Sequence, residues 1–317
     1  MKILVTGGAG FIGSHFVDLL LSDQEIAKDI SKIIVLDKLT YAGDLKFLFE
    51  ARKSSKFHFI QGDICDPNLI SNKEFKKLDW IVNFAAESHV DRSLFGAGEF
   101  VNTNVLGTVN LLNMALENSV AHFLQISTDE VYGSILEGTW DEESKLDPRS
   151  PYSASKASAE LICNSFFVTH NIDVRITRSS NNFGPRQNLE KMVPKIIYSL
   201  INNVPIPVYG NGLNVRDWVY VKDNCIGIWK TMMGGKPGQI YNLGGENEIS
   251  NLELITSIAD VFNIVKPKMQ FVEDRKGHDF RYSMSSNKAA RQIGYIPSKD
   301  FKTGLKETVE YYKNSLK

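Results

Sequence analysis

The feature that most constrains the fold of this chain is a glycine-rich turn close to its start. Residues 2–6 form a short apolar run, which is typical of a buried strand, and the sequence GGAGFIG follows at residues 7–13. Residues 14–21 read as a helix, and a second apolar run at 33–36 ends in Asp37. A strand, a glycine turn, a helix, a strand and an acid in this order make up a dinucleotide-binding unit.

This unit predicts NAD as a bound cofactor. The glycines let the backbone approach a pyrophosphate, and the helix N-terminus offers it free N–H groups and the positive end of the helix dipole. Asp37 is expected to accept both hydroxyls of the adenosine ribose, and its charge would repel a 2′-phosphate, which favours NAD over NADP. Lys38 beside it weakens that exclusion slightly. A glycine motif alone equally fits a tight turn in another α/β protein, so the argument depends on the complete unit.

The rest of the first half predicts a parallel sheet around this unit. Further apolar runs of strand length lie at residues 57–61, 80–84, 122–126 and 172–178. The predicted fold is therefore α/β, with a Rossmann-type doubly wound parallel sheet. Ligands bind at the carboxyl ends of the strands in such sheets. This places Asp63 near the adenine, and the small residues Ala85 and Ala86 near the ribose and pyrophosphate.

Composition excludes several other classes of protein. A length of 317 residues fits two lobes, and a net charge of -1 provides no basic field for nucleic acid or an anionic membrane. The three cysteines contain no CxxC and the six histidines form no metal-spaced cluster, so we expect free thiols and no metal. Met1 runs almost directly into the first strand, which leaves no room for a signal peptide, and no apolar run approaches the ~20 residues of a membrane span. We therefore expect a cytoplasmic protein.

The stretch from residue 127 to 156 collects ionisable side chains at the end of an apolar run. Asp129 and Glu130 lie just past the predicted fifth strand. Neighbouring residues of a regular strand point to opposite faces, so two such carboxylates cannot both reach one ligand. Either the strand has ended by Asp129, or one of the two is only structural. An Asp–Glu pair is usually a solvated loop, but its place after a central apolar strand favours a role in the site.

Tyr152 and Lys156 lie four residues apart in a segment, 152–167, that reads as a helix. This spacing puts both side chains on one helix face. The lysine ammonium, with the positive nicotinamide nearby, would stabilise a phenolate and lower the pKa of the tyrosine. Tyr152 would then take a hydroxyl proton during hydride transfer. A Tyr-x-x-x-Lys spacing is common and usually carries no function, and here the dinucleotide unit before it gives it weight.

Four segments together resemble a known family. They are TGGAGFIG at residues 6–13, AAESHVDRS at 85–93, STDEVYG at 127–133 and YSASK at 152–156. Read together, they resemble the extended short-chain dehydrogenase/reductase family and, within it, the dTDP-glucose 4,6-dehydratases. The resemblance covers almost the whole chain. Relatives that epimerise, decarboxylate or reduce usually lack the Asp–Glu pair at this position.

The resemblance implies a redox cycle that closes on the enzyme. Tyr152, assisted by Thr128 and Lys156, would take the proton of the sugar 4-hydroxyl while NAD accepts hydride from C4. The new ketone acidifies the C5 proton, which Glu130 would remove, and Asp129 would protonate the C6 hydroxyl that departs as water. Hydride then returns to C6 and C5 is reprotonated, which gives a 4-keto-6-deoxy sugar with NAD regenerated.

The resemblance also implies which residues contact the ligands. Contacts with NAD are expected from Gly7, Gly10, Phe11, Ile12, Gly13, Asp37, Lys38, Thr40, Asp63, Ile64, Ala85, Ala86, Ser88, Thr103, Tyr152, Lys156 and Asn182. Contacts with the nucleotide sugar are expected from Ser88, Thr128, Asn181, Lys191, Met192, Pro207, Tyr209, Arg216, Asn251, Arg275 and His278. Lys191 and Arg216 would approach the diphosphate, and residues 205–210 would border the nucleobase. Residues 275–279, together with Asn251, would close the site.

The second half is predicted to form a smaller α/β substrate-binding domain that is interleaved with the first. The NAD-binding domain is expected at residues 1–178 plus about 215–240, and the nucleotide-sugar-binding domain at about 179–214 and 241–317. A homodimer through the helices at residues 104–115 and 152–167 is expected from the resemblance.

Three other functions stay open on the sequence. A UDP-glucose 4,6-dehydratase is the close alternative, because no residue reliably separates thymine from uracil. A nucleotide-sugar 4-epimerase would use Tyr152 and Lys156 but would give Asp129 and Glu130 no task. A non-enzymatic NAD-binding sensor would use only the glycine turn and Asp37.

Overall fold

The computed structural model describes residues 1–275 and 277–316. Its strands are β1 (Lys2–Thr6), β2 (Lys32–Asp37), β3 (Phe57–Gln61), β4 (Trp80–Asn83), β5 (His122–Thr128), β6 (Asp173–Ser179), β7 (Asn181–Phe183), β8 (Ile206–Tyr209), β9 (Val215–Tyr220), β10 (Ile240–Leu243), β11 (Glu248–Ser250) and β12 (Met269–Val272). Its α-helices are α1 (Phe11–Ser22), α2 (Gln24–Ala27), α3 (Val90–Phe95), α4 (Ala97–Phe100), α5 (Gly107–Glu117), α6 (Pro151–His170), α7 (Met192–Ile201), α8 (Val221–Gly234), α9 (Asn251–Val261), α10 (Asn287–Ile293) and α11 (Phe301–Ser315).

Seven strands form one parallel sheet in the order β10-β6-β5-β4-β1-β2-β3, with helices on both faces. This confirms the predicted doubly wound fold. Two smaller sheets follow: β9 lies between β11 and β7, and β8 pairs with β12. The carboxyl ends of the large sheet and the two smaller sheets all contribute residues to the site described below.

Burial on both faces explains why the strands of the large sheet read as continuous apolar runs. Ile3 and Val5 of β1 pack on one face with Phe16 of α1. Leu4 points to the other face and packs in a cluster with Leu111 of α5. A third apolar cluster belongs to the C-terminal half and joins β7, β9, α7, α9 and α11.

The predicted elements are found, several of them with shifted ends. The fifth strand continues to Thr128, two residues beyond its predicted end. The helix predicted over 104–115 is divided into a π-helical turn, Val101–Leu106, and α5. Helix α6 begins at Pro151, where the side chains of Ser150 and Ser153 form a reciprocal cap, and it ends before the left-handed Asn171.

The predicted division into two interleaved domains stays a prediction. The boundary proposed near residue 240 falls at the start of β10, which pairs with β6 in the large sheet. The stretch that begins at residue 215 opens with β9 of a small sheet and continues into α8, which packs against α1. Among the helices of the described residues, none is both long and apolar enough to cross a membrane.

Candidate active site

The glycine-rich turn joins β1 to α1 by a path that side chains would obstruct. Gly7 has a φ of +67°, and a Cβ placed on it would lie 2.6 Å from the backbone nitrogen of Ala85. A Cβ on Gly13 would lie 2.4 Å from the carbonyl oxygen of Gly7. The turn is therefore packed on its own backbone and on the end of β4. This arrangement leaves the N-terminus of α1 open to a ligand with an anionic group.

Acidic and basic side chains follow the ends of β2 and β3. The buried Asp37 carboxylate accepts the N–H of Ala9 at 2.9 Å and that of Leu39 at 2.8 Å. Burial raises the pKa of Asp37, and these two backbone donors oppose the shift. The Lys38 ammonium lies 2.7 Å from the Asp63 carboxylate, so the adenine end predicted for this edge carries an ion pair.

A cavity of about 310 Å³ runs from the glycine turn along the carboxyl edge of the sheet. It is lined by every residue predicted to contact NAD, as well as by Thr128, Asp129, Glu130, Asn181 and Lys191. Buried oxygen atoms of Ser127, Asn181, Asn182 and Gln187 on its wall have no hydrogen-bond partner among the described residues. A dinucleotide fits this donor and acceptor set, and its pyrophosphate fits the glycine turn.

The Asp129–Glu130 pair lies past the end of β5, in a 3₁₀ turn that spans Asp129–Tyr132. Thr128 caps this turn, because its hydroxyl accepts the N–H of Glu130 at 3.3 Å and donates to Asp129 at 3.1 Å. The strand alternation that would separate the two carboxyls has thus ended, and both line the cavity. The strand has therefore ended by Asp129, which is the first of the two alternatives that the sequence left open.

The two carboxyl groups have different surroundings. Burial raises the pKa of Asp129 well above its usual range, and the nearby carboxylates of Glu130 and Asp217 raise it further. Burial also raises the pKa of Glu130, but the cations of Lys191 and Arg216 lower it. Asp129 is therefore the group held protonated, and Glu130 is the group that cations help to ionise. Such a separation is what acid and base roles require.

Tyr152 and Lys156 lie in the first two turns of α6, facing the same cavity. The Lys156 ammonium donates to the carbonyl oxygen of Ile126 at 2.5 Å, and burial lowers its pKa to about 8. Burial raises the pKa of Tyr152, as do the carboxylates of Glu130 and Asp129, while a hydrogen bond with Thr128 opposes them. In the chain by itself the Lys156 ammonium is turned to the Ile126 carbonyl, and the lowering of the Tyr152 pKa by Lys156 together with the positive nicotinamide stays a prediction.

A second cavity of about 320 Å³ adjoins the first and lies among the C-terminal elements. Both cavities lie within the ~300–1,000 Å³ of small-molecule sites. The residues predicted to contact the nucleotide sugar line it, except Ser88 and Thr128, which line the first cavity: Asn181, Lys191, Met192, Pro207, Tyr209, Arg216, Asn251, Arg275 and His278. Glu130, Asn181, Glu190 and Lys191 line both cavities, so these four residues mark the junction.

The basic side chains of the second cavity are held by aromatic rings and oxygen atoms. The Arg216 guanidinium lies 4.1 Å from the ring centroid of Tyr282 and donates to the carbonyl oxygen of Asp279 at 2.8 Å. The Arg275 guanidinium lies 4.4 Å from the ring centroid of Tyr209 and 2.9 Å from the Asp91 carboxylate. Both planes are thus fixed at the cavity wall, as suits recognition of a diphosphate or a planar base.

His278 and Lys191 complete this wall. The imidazole of His278 lies 2.6 Å from Asp274, and burial lowers its pKa while that carboxylate opposes the shift. Lys191 donates to the carbonyl oxygen of Ser88 at 2.7 Å, and burial lowers its pKa. Lys276, within the segment expected to close the site, lies outside the described residues.

Sequence reasoning missed several lining residues. Glu190 lines both cavities, 3.5 Å from the His89 imidazole and 3.3 Å from the guanidinium of Arg92. His89 caps α3, because its Nδ1 accepts the N–H of Arg92. Tyr282 also lines the second cavity. These residues share no local motif, and only the fold brings them together.

The described residues contain no group of His, Cys, Asp and Glu that could hold a metal ion. The three cysteines are free thiols, as the sequence predicted.

Comparisons with known proteins place the chain among dehydratases. The profile of the family described as GDP-mannose 4,6 dehydratase matches residues 4–308. A dTDP-glucose 4,6-dehydratase of Actinoplanes sp. (strain SE50/110) is 47% identical over 314 residues, which are 99% of this chain and 98% of that protein. The crystal structure of DesIV, a dTDP-glucose 4,6-dehydratase from Streptomyces venezuelae with NAD and TYD bound, has a TM-score of 0.97 and 46% identity, covering 99% of this chain and 97% of that one.

Enzymes that catalyse other reactions also have this fold. The structure of a UDP-glucose 4-epimerase from Thermotoga maritima, with UDP-glucose, has a TM-score of 0.91 and 27% identity over the whole of both chains. Overall fold therefore does not separate dehydration from epimerisation, and the residues of the site must do so.

Proposed function

This chain belongs to the family described as GDP-mannose 4,6 dehydratase, and from that premise we propose that it dehydrates dTDP-glucose to dTDP-4-keto-6-deoxyglucose as an NAD-dependent hydro-lyase. The family resemblance indicated by the four sequence motifs is thereby confirmed. The observation that carries the reaction is the 3₁₀ turn after β5, which presents two carboxyls beside Tyr152: the pKa of Asp129 is raised well above its usual range, whereas nearby cations oppose the rise in the pKa of Glu130.

The first half of the reaction belongs to Tyr152, Thr128 and Lys156. Tyr152 takes the proton of the sugar 4-hydroxyl, and the hydroxyl of Thr128, which hydrogen-bonds the phenol, orients it. Lys156, one helical turn further on, and the positive nicotinamide of bound NAD would together supply the charge that supports a phenolate. When bound, NAD would accept the hydride from C4 and, in its reduced form, return it to C6. The glycine turn, Asp37 and the orphaned oxygens on the wall of the first cavity are the groups that would hold it.

The second half belongs to the carboxyl pair. Glu130, ionised with the help of Lys191 and Arg216, removes the C5 proton that the 4-ketone has made acidic. Asp129, which burial keeps protonated, gives its proton to the C6 hydroxyl, which leaves as water. When C6 has accepted the hydride, C5 is reprotonated, and this completes the 4-keto-6-deoxy sugar. The burial of Asp129 inside the cavity also keeps bulk water from competing for that proton.

The second cavity is the proposed site of the nucleoside diphosphate. Lys191, Arg216 and Arg275 supply positive charge, and Pro207 and Tyr209 supply apolar and aromatic surface for a base. The junction at Glu130 and Asn181 then puts the sugar between this cavity and the cofactor.

A homodimer in the cytoplasm is part of the proposal. Leu161 of α6 is 63% exposed, and Leu106, in the turn before α5, is 54% exposed. Both leave apolar surface on the two helices predicted to form the interface. Sizing with light scattering tests this proposal, and a monomer would contradict it.

Incubation with dTDP-glucose in heavy water, followed by NMR of the sugar, tests the function. A new C6 methyl signal with deuterium at C5 is the expected result. Inversion at C4 without a methyl signal would establish an epimerase, and no change would favour a sensor or another substrate. UDP-glucose in a parallel sample reports on base preference, since faster conversion of UDP-glucose would contradict dTDP-glucose as the substrate.

A further inference from the structure

The turn that carries Asp129 and Glu130 ends in Tyr132, a residue that the reaction does not use. Its side chain is fully buried and lines neither of the two cavities. The Tyr132 hydroxyl donates to Asn242 Oδ1 at 2.8 Å and accepts from the Arg178 guanidinium at 2.7 Å. A buried phenol with two such partners is held at its hydroxyl as well as by packing.

Arg178 connects this phenol to the helix of Tyr152 and Lys156. Its guanidinium makes a forked contact with the Glu160 carboxylate, with Nη2 at 2.6 Å and Nε at 3.0 Å from one oxygen. Arg178 and Glu160 are 3% and 2% exposed, so the pair is desolvated and its geometry matters. Glu160 lies on α6, one turn after Lys156, and its carboxylate opposes the lowering of the Lys156 pKa by burial.

The same guanidinium lies at the centre of three functional segments. Arg178 is on β6, three residues before Asn181, and pairs in register with Ser127 on β5 and with Asn242 on β10. Through Tyr132 it holds the acid–base turn, and through Glu160 it holds α6. One buried cation therefore contacts both Tyr132 of the Asp129–Glu130 turn and the helix that carries Tyr152 and Lys156.

We propose that Tyr132 is a positioning residue, whose hydroxyl, held by Arg178 and Asn242, fixes the Asp129–Glu130 turn relative to the helix of Tyr152 and Lys156. The inference rests on the proposed function, which assigns elimination to the Asp129–Glu130 turn and oxidation to Tyr152 with Lys156. Loss of the hydroxyl frees the turn but leaves the Arg178–Glu160 pair, and so α6, in place. Elimination then slows while oxidation at C4 does not.

The test compares Tyr132→Phe with Tyr241→Phe. Tyr241 is a matched control, because it is also fully buried and its hydroxyl also has two partners, the N–H of Lys236 at 2.9 Å and Gln292 at 3.2 Å. Single-turnover absorbance of the reduced nicotinamide separates the steps, since it rises with oxidation at C4 and decays after elimination. Thermal unfolding and calorimetric affinity for dTDP report on folding and binding.

In folded Tyr132→Phe, the rise keeps its wild-type rate, and the decay, with deuterium entry at C5, slows by about tenfold or more, since small displacements of reacting groups are costly. The affinity for dTDP is unchanged. In Tyr241→Phe the two phases keep their ratio. Equal slowing of both phases in Tyr132→Phe, unchanged phases, or the same selective slowing in Tyr241→Phe would overturn the proposal.

Asn242→Ala provides a second route if Tyr132→Phe does not fold. It removes the acceptor of the Tyr132 hydroxyl and leaves the contact with Arg178, so the same selective slowing is expected with a smaller factor, and equal slowing again overturns the proposal. If the wild-type chain forms no product from dTDP-glucose, the proposed function has failed, which is a different outcome from any of these.

Discussion

The glycine-rich turn and the second cavity are built in opposite ways. The turn is seven consecutive residues whose shape follows from backbone contacts, as in the approach of Gly13 to the carbonyl of Gly7. The second cavity draws on residues as far apart as His89 and Tyr282, each placed by a different element. A backbone site leaves a local signature in the sequence, whereas a site of dispersed side chains leaves none until the chain has folded.

The difference implies that the two regions fail differently when mutated. A substitution in the turn collides with the main chain and leaves no room to relax. A substitution in the cavity removes one contact among several and changes affinity or a pKa by a graded amount.

Gly13→Ala is expected to have the largest effect. Its Cβ would lie 2.4 Å from the Gly7 carbonyl oxygen, so the turn must open, at a cost of about 1–3 kcal/mol of unfolding free energy and with loss of bound NAD. Unfolding curves and the NAD content of the purified protein measure this. Gly98→Ala is the control, because a Cβ there meets nothing within 4 Å. Retention of NAD by Gly13→Ala would refute the close-packed turn.

Arg216→Lys is expected to have an intermediate effect. Lysine keeps the charge but loses the planar group that lies over Tyr282 and bonds Asp279, so the KM for dTDP-glucose rises by about tenfold or more while kcat changes less. Steady-state kinetics measure the split. Arg281→Lys serves for comparison, because Arg281 pairs with Glu248 away from both cavities. An unchanged KM in Arg216→Lys would place the diphosphate elsewhere.

Lys191→Met is expected to have the smallest of the three effects, and what it changes is the pH dependence of kcat. The Lys191 ammonium lowers the pKa of Glu130, so its removal raises that pKa. Glu130 acts as the ionised base, so kcat falls as pH drops through its pKa, and this acid limb moves to higher pH. Lys195→Met, one turn along α7, should leave the limb in place. A limb that stays or moves to lower pH in Lys191→Met would contradict the base assignment.

The residues of the first cavity could be predicted from the sequence in most of their detail. The unit from β1 to Asp37 and the ends of β3 and β4 were all predicted from apolar runs and small or acidic residues, and they line the first cavity. This succeeds because strand order and chain order agree locally, so the residues that follow each strand meet at one edge.

The remaining features depend on contacts between distant residues. Whether β5 ended before Asp129 could not be decided from alternation, because the 3₁₀ turn is set by the Thr128 cap and by Tyr132 beneath it. The raised pKa of Tyr152 was missed because burial, and the Ile126 carbonyl that takes the Lys156 ammonium, are products of folding. The residues of the second cavity were anticipated through the family resemblance and not through any local pattern.

The assignment of oxidation to Tyr152 and elimination to Glu130 is tested most directly by Glu130→Gln. Glutamine keeps the size of the side chain but removes the base, so the variant, mixed with dTDP-glucose in heavy water, should reduce its bound NAD in a single turnover and then stop. No deuterium should enter C5 and no C6 methyl signal should appear. Turnover at the wild-type rate with deuterium at C5 would contradict the account, because another group would then be the base.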